Sequence, residues 1–141
     1  MNANRTIMIV DDNPDIVTIV KTILEGKGYV VQTAYSGMEV FSRLEEKKPD
    51  LIILDVMMPQ MGGLEVLTRL KKSADFSSIL VILLTAKIQY DDMLGGYKLG
   101  ADYYITKPFT STQLINGINL VFRGDQRHSN QPDQIIKACL P

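Results

Sequence analysis

Five side chains invite a chemical reading, because each closes or directly follows a short aliphatic run. Asp11 and Asp12 follow Ile7-Met8-Ile9-Val10, and Asp55 follows Leu51-Ile52-Ile53-Leu54. Thr85 ends the run from Ile79 to Leu84, and Lys107, just ahead of Pro108, follows Tyr103-Tyr104-Ile105. If these runs are parallel strands, all five residues meet at the carboxyl rim of the sheet, where such folds bind ligands. Three carboxylates gathered there repel one another: two unit charges about 4 Å apart cost roughly 4 kcal/mol at an effective dielectric near 20. A cation is needed to keep them ionised together. Oxygen-only ligands select a hard ion, and a shallow open site suits Mg²⁺. Zinc is disfavoured, because no histidine or cysteine lies nearby in the sequence. In such a site one carboxylate can attack phosphorus. Asp55, at the end of the central strand, is the best nucleophile, leaving Asp11 and Asp12 to hold the metal. Lys107 then pairs with one phosphoryl oxygen and Thr85 donates a hydrogen bond to another. The product is an acyl phosphate, and Thr85 and Lys107 must move to meet it, so that chemistry is coupled to shape.

The elements that must deliver these residues are legible in the apolar spacing. Strands are expected at Ile7–Val10, Tyr29–Ala34, Leu51–Leu54, Ile79–Leu84 and Tyr103–Ile105. A helix is expected over Ile16–Gly26, with Ile16, Ile19, Val20, Ile23 and Leu24 inward, Asn13 as its cap and Pro14 in its first turn. Others are expected from Ser36 to about Lys47 (Val40, Phe41 and Leu44 inward), over Leu64–Lys72, over 89–99, and over Ser111–Phe122. Gly95-Gly96 weakens the helix over 89–99, each glycine costing about 1 kcal/mol relative to alanine, and a mobile helix is expected there. Strands apolar on both faces, alternating with helices, imply an α/β fold with a parallel sheet covered on both sides. From Gly124 the pattern turns polar and unperiodic, which reads as a tail over 124–141 with no effector domain.

Composition narrows the class. A chain of 141 residues suits one domain, which can bury roughly two-thirds of its unfolded surface without staples. The net charge of −1 carries no basic excess that would point to nucleic acid. Cys139 is the only cysteine, so neither an intramolecular disulfide nor a cysteine–zinc cluster can form. The aliphatic runs are far shorter than a membrane span and no signal-peptide core is evident, so the chain reads as cytoplasmic by elimination.

Taken together, Ile9-Val10-Asp11-Asp12, Leu54-Asp55-Val56-Met57-Met58-Pro59, Leu84-Thr85-Ala86 and Tyr104-Ile105-Thr106-Lys107-Pro108-Phe109 resemble the receiver domain of two-component response regulators. The resemblance covers about residues 5–123, and the motifs fall in the family's order. It implies a flavodoxin-like, doubly wound five-stranded sheet of order 2-1-3-4-5, as in the chemotaxis regulators, with five helices. It casts Asp55 as phosphoacceptor for a sensor histidine kinase, a phosphotransfer protein or a small phosphodonor. It casts Asp11, Asp12, Asp55 and the backbone carbonyl of Met57 as Mg²⁺ ligands. It also implies a cis Lys107–Pro108 peptide and a switch in which Tyr104 swings inward as Thr85 moves. The signal would then be presented to a partner on the face made by the helix over 89–99, the fifth strand and the last helix, which is equally a candidate for homodimer formation. Such a domain is a signalling module rather than an enzyme, catalysing only its own phosphorylation and dephosphorylation. Met57 and Lys87 stand two residues after Asp55 and Thr85, flanking the approach of water, and neither is an obvious general base. Slow self-dephosphorylation, over minutes or longer, is therefore expected.

Plainer readings exist for the single residues. Asp11-Asp12 before Asn13-Pro14 could be a helix N-terminal cluster stabilised by the dipole, Lys107 a solvated lysine, and Tyr104 core packing. His128 reads as a solvated histidine of the tail. Three other functions fit less well. A phosphatase of the Asp-x-Asp type would need an acid where Met57 stands. A flavin or nucleotide module would need a glycine- or hydroxyl-rich loop where Asp11-Asp12-Asn13-Pro14 stands. A phosphorylation-independent interaction domain would have no need of the intact acidic set.

Overall fold

The computed structural model describes residues 5–86, 95 and 97–124. Five parallel strands form one sheet: β1 (Thr6–Val10), β2 (Val30–Ala34), β3 (Leu51–Asp55), β4 (Leu80–Thr85) and β5 (Tyr103–Thr106). They lie in the order β2-β1-β3-β4-β5. The winding reverses at β1 and β3, which run side by side with Ile7 opposite Leu51 and Val10 opposite Leu54. Every residue of β1 and β3 is buried, as expected of strands with helices over both faces.

The strand pleat divides the core in two. Met8, Val10, Ile52, Leu54, Val81, Leu83 and Tyr104 face one way and pack under α2 (Gly37–Glu46) and α3 (Gly63–Lys72), through Val40, Leu44, Val66, Leu67 and Leu70. Ile7, Ile9, Leu51, Ile53, Ile82, Leu84 and Ile105 face the other way. They meet α1 (Pro14–Gly26) and the C-terminal helix α4 (Ser111–Gly124) through Val17, Val20, Leu24, Leu114, Ile118 and Val121. The side-chain period of two thus sends alternate residues to opposite cores.

Local signals place the helix starts. Asn13 caps α1, its Oδ1 accepting the Asp15 N–H at 2.9 Å, with Pro14 in the first turn. Ser36 caps α2, its hydroxyl accepting from the Glu39 N–H at 3.1 Å, while a Glu39 carboxylate oxygen accepts from the Tyr35 N–H.

One expectation needs correction. In α1 the inward residues are Val17, Val20 and Leu24, whereas Ile19 is 50% exposed and Ile16 and Ile23 are only half-buried. The helix carries apolar residues around more than half its girth, so packing against the sheet chooses the phase. The described residues contain four of the five expected helices in full. The one expected over 89–99, with its expected mobility, lies largely outside the described residues. Only its last turn is described, where the Leu99 N–H donates to the Gly95 carbonyl at 3.0 Å. The expected tail over 124–141, with His128 and Cys139, lies outside them beyond Gly124, which closes α4. Among the described residues no helix is long and apolar enough to cross a membrane.

Candidate acidic phosphoacceptor site

The parallel winding brings the five side chains of interest to one rim. Asp55 is the last residue of β3 and Thr85 the last of β4. Asp11 directly follows β1, where its N–H donates to the Ala34 carbonyl at the end of β2. Lys107 directly follows β5, its N–H donating to the Thr85 carbonyl at 2.6 Å, and the Lys107–Pro108 peptide is cis. Asp11, Asp55 and Thr85 are buried, while Asp12 is exposed at the mouth.

Carboxylate oxygens of Asp11, Asp12 and Asp55 lie within 4.8 Å of one another. Lys107 is the counter-charge: its Nζ sits 2.7 Å from Asp11 Oδ2 and 3.6 Å from Asp55 Oδ1. The other Asp11 oxygen, Oδ1, accepts the Asn13 N–H at 2.9 Å. Asn13 therefore both starts α1 and orients the buried aspartate, a second role that its capping sequence does not reveal. Tyr104, placed opposite Leu83 on β5, is buried in the core beneath α2 and α3, while its neighbour Tyr103 turns to the α4 side. Met57, two residues past Asp55, gives its backbone N–H to the Asp55 carboxylate and leaves its side chain 72% exposed. Lys87 lies outside the described residues.

Burial pushes the Asp55 carboxyl up from 3.8 to about 6, and the neighbouring Asp11 charge adds to the rise. Lys107 and the Met57 N–H oppose it, and Asp12 raises it further. One ammonium is therefore too little for three carboxylates. The donor set is all oxygen, converges from separate elements, and carries unmatched negative charge. Those properties fit a hard divalent cation such as Mg²⁺.

The raised pKa has a consequence for the metal-free protein. The folded value, about 6, exceeds the unfolded 3.8, so between them the folded chain holds a proton that the unfolded chain has released. Asp55's contribution to stability is therefore fully present below pH 3.8 and is lost as pH rises through about 6. In the presence of chelator, the ionised Asp55 is expected to cost the fold about 3 kcal/mol above that point. Urea unfolding in EDTA at pH 5 and pH 8 checks this: the stability advantage of Asp55→Asn over wild type should widen toward pH 8. An advantage independent of pH would contradict the account.

A loop that sequence reasoning overlooked supports the acidic floor. The Gly63 N–H donates to the Val56 carbonyl at 2.9 Å, folding the segment after Asp55 back onto the start of α3. A Cβ at Gly63 would overlap the Asp55 carbonyl oxygen. A Cβ at Gly37, in the first turn of α2, would come within 2.9 Å of Met61 and Val66. The signal available in the sequence was a glycine at each helix start where a larger residue would ordinarily serve.

The sequence and the fold are similar to those of known proteins. The family model described as the response regulator receiver domain matches residues 7–119. The alkaline phosphatase synthesis transcriptional regulatory protein PhoP of Bacillus subtilis (strain 168) is 42% identical over 120 residues, 85% of this chain and 49% of that protein. The chain thus spans about half the length of this curated relative. The Vibrio cholerae chemotaxis protein CheY4 superimposes with a TM-score of 0.80 at 28% identity, covering 84% of this chain and 99% of that one. The signal receiver domain of a signal transduction histidine kinase from Syntrophus aciditrophicus gives 0.79 at 36% identity, covering 89% and 95%.

Proposed function

This chain belongs to the response regulator receiver domain family, and on that premise we propose that residues 5–123 act as a phosphorylation switch in which Asp55 is the phosphoacceptor. The observation that carries the proposal is the meeting of Asp11, Asp12 and Asp55, drawn from two strand ends, with Lys107 from a third. Asp11, Asp12, Asp55 and the backbone carbonyl of Met57 would hold Mg²⁺. When bound, the ion supplies positive charge against the oxygens of the transferring group. The donor is a phosphohistidine of a sensor kinase or phosphotransfer protein, or a small acyl phosphate. An ionised Asp55 oxygen attacks phosphorus in line with the leaving group, and the bond from phosphorus to that group breaks. Lys107, already between Asp11 and Asp55, pairs with a phosphoryl oxygen; Thr85 donates its hydroxyl to another.

The product carries more charge and more acceptor oxygens than the carboxylate it replaces. Lys107 and Thr85 must adjust to it. Because Thr85 is the last residue of β4 and its carbonyl accepts from Lys107, their movement is passed to β5 and Tyr104. A cavity of about 270 Å³ lined by Tyr103, Tyr104, Ile105, Thr106, Gln113 and Asn116 opens on that side. It is the surface on which a downstream protein, or a second copy of this chain, would read the switch.

The test is phosphoryl uptake. Incubation with acetyl phosphate and Mg²⁺ should add the mass of one phosphoryl group, removable by hydroxylamine as an acyl phosphate must be. Uptake should fail in EDTA. A hydroxylamine-resistant phosphoprotein, or uptake indifferent to chelator, would overturn the proposal. In buffer alone the modification should last minutes or longer, because the neutral Met57 thioether offers water no base.

A further inference from the structure

Methionine sulfur is oxidised where peroxide can reach it, and reach differs sharply among the described methionines. Met8, Met58 and Met61 are 0%, 8% and 7% exposed. Met38 and Met57 are 63% and 72% exposed, Met57 the most of any described large apolar residue. Met57 is also singled out by position. Its N–H holds the Asp55 carboxylate, so its backbone belongs to the acidic site while its thioether stands free in solvent at the same residue.

We propose that Met57 is a redox-sensitive position, where oxidation of the thioether by a peroxide shortens the life of the phosphoryl group on Asp55. The inference rests on the phosphoacceptor reading above. The oxidation is balanced: the methionine sulfur loses two electrons and gains one oxygen atom, the peroxide O–O bond breaks, and hydrogen peroxide leaves as water. The product exchanges a weak acceptor for a strongly dipolar S–O group on an exposed side chain two residues from Asp55. That oxygen accepts a hydrogen bond from water and holds it near phosphorus, where the thioether could not. Hydrolysis then proceeds with water oxygen bonding to phosphorus, the bond to the Asp55 oxygen breaking, a proton leaving to solvent, and the Asp55 carboxylate and inorganic phosphate restored. Met38 is the internal comparison, since it is similarly exposed but lies in α2 and gives no hydrogen bond to Asp55.

The experiment uses the whole chain as wild type, Met57→Leu and Met38→Leu. Each is treated with dilute hydrogen peroxide, mapped by peptide mass spectrometry, phosphorylated with acetyl phosphate and Mg²⁺, and followed for phosphoryl loss. Each oxidised sample is compared with its own reduced form. Met38 and Met57 should gain oxygen first and Met8, Met58 and Met61 last, with residues 57, 58 and 61 told apart by fragment ions of the peptide they share. Oxidation should shorten the phosphoryl lifetime by about threefold or more in wild type and in Met38→Leu, because a water held near phosphorus attacks more often. It should leave Met57→Leu unchanged, and methionine sulfoxide reductase should restore the original lifetime. An unoxidised Met57, an unchanged lifetime, or equal shortening in Met57→Leu overturns the inference while leaving the phosphoacceptor reading intact. A reduced wild type that takes up no phosphoryl group overturns both.

Discussion

Asp55→Asn is expected to take up no phosphoryl group from acetyl phosphate and Mg²⁺, yet to unfold at higher urea than wild type in EDTA. The two effects have one origin. An amide is nearly the shape of a carboxylate, so the buried position at the end of β3 stays filled. It has no anionic oxygen to attack phosphorus, so uptake falls below detection rather than by a modest factor. It also has no charge to be desolvated, and desolvation is the largest cause of the raised Asp55 pKa. A shift from 3.8 to about 6 corresponds to about 3 kcal/mol. Part of that gain is expected in the metal-free variant at pH 8, and about half as much at pH 5, midway between the two pKa values. Saturating Mg²⁺ should reverse the order, since the cation stabilises the three-carboxylate site and has less to bind in the variant. Loss of uptake through misfolding would instead lower the urea midpoint. An Asp55→Asn protein that still gains one phosphoryl mass would move the acceptor elsewhere.

Much of this site was legible because the chemistry sits at the ends of the most readable elements. Leu51–Leu54 is apolar without alternation, which marks a strand buried on both faces, and Asp55 interrupts it at the rim. The same holds for Asp11 after β1 and Thr85 at the end of β4. The rule that ligands gather at the carboxyl ends of parallel strands then joins residues far apart in the chain. What the sequence hid is what depends on three-dimensional pairing. Lys107 is expected to serve the phosphoryl group, and in the structure the shortest bond of its Nζ is to Asp11, 96 positions away. No local pattern encodes that choice. The phase of α1 was hidden for another reason. Ile16, Val17, Ile19, Val20, Ile23 and Leu24 spread over so much of the helix that periodicity admits more than one inward face. Competition for space beside β1 and β2 leaves Val17 inside and Ile19 out. The packing that demands the glycines at 37 and 63 was hidden, because it is tertiary: Met61 and Val66 crowd Gly37, and the Asp55–Val56 backbone crowds Gly63.

Gly63→Ala is accordingly expected to be among the most damaging small substitutions in the chain. The added methyl group would overlap the Asp55 carbonyl oxygen and come within 2.9 Å of the Val56 Cα. Both obstacles are main chain, so no side-chain rotation relieves them. Either β3 or the start of α3 must move, against strands whose residues are wholly buried. Overpacking of this kind costs about 2–4 kcal/mol, a large part of the roughly 5–15 kcal/mol that holds a domain together. Gly26→Ala supplies the control. It lies at the end of α1 with nothing within 4 Å of the new methyl group, and should change stability by no more than about 1 kcal/mol. Urea titration of the two variants decides the point, and a Gly63→Ala midpoint matching that of Gly26→Ala would show that the loop yields freely. Activity should follow geometry. Where Gly63→Ala remains folded at low temperature, the displaced Asp55 backbone tilts the carboxylate away from Lys107 and the other aspartates. Phosphoryl uptake should then fall by about a hundredfold, the scale on which a misplacement of about 1 Å acts in a preorganised site. The Gly26→Ala protein should retain the wild-type rate. The segment behind Asp55 thus couples fold to the proposed chemistry: the same close backbone approach that lets α3 begin there fixes where the Asp55 carboxylate points.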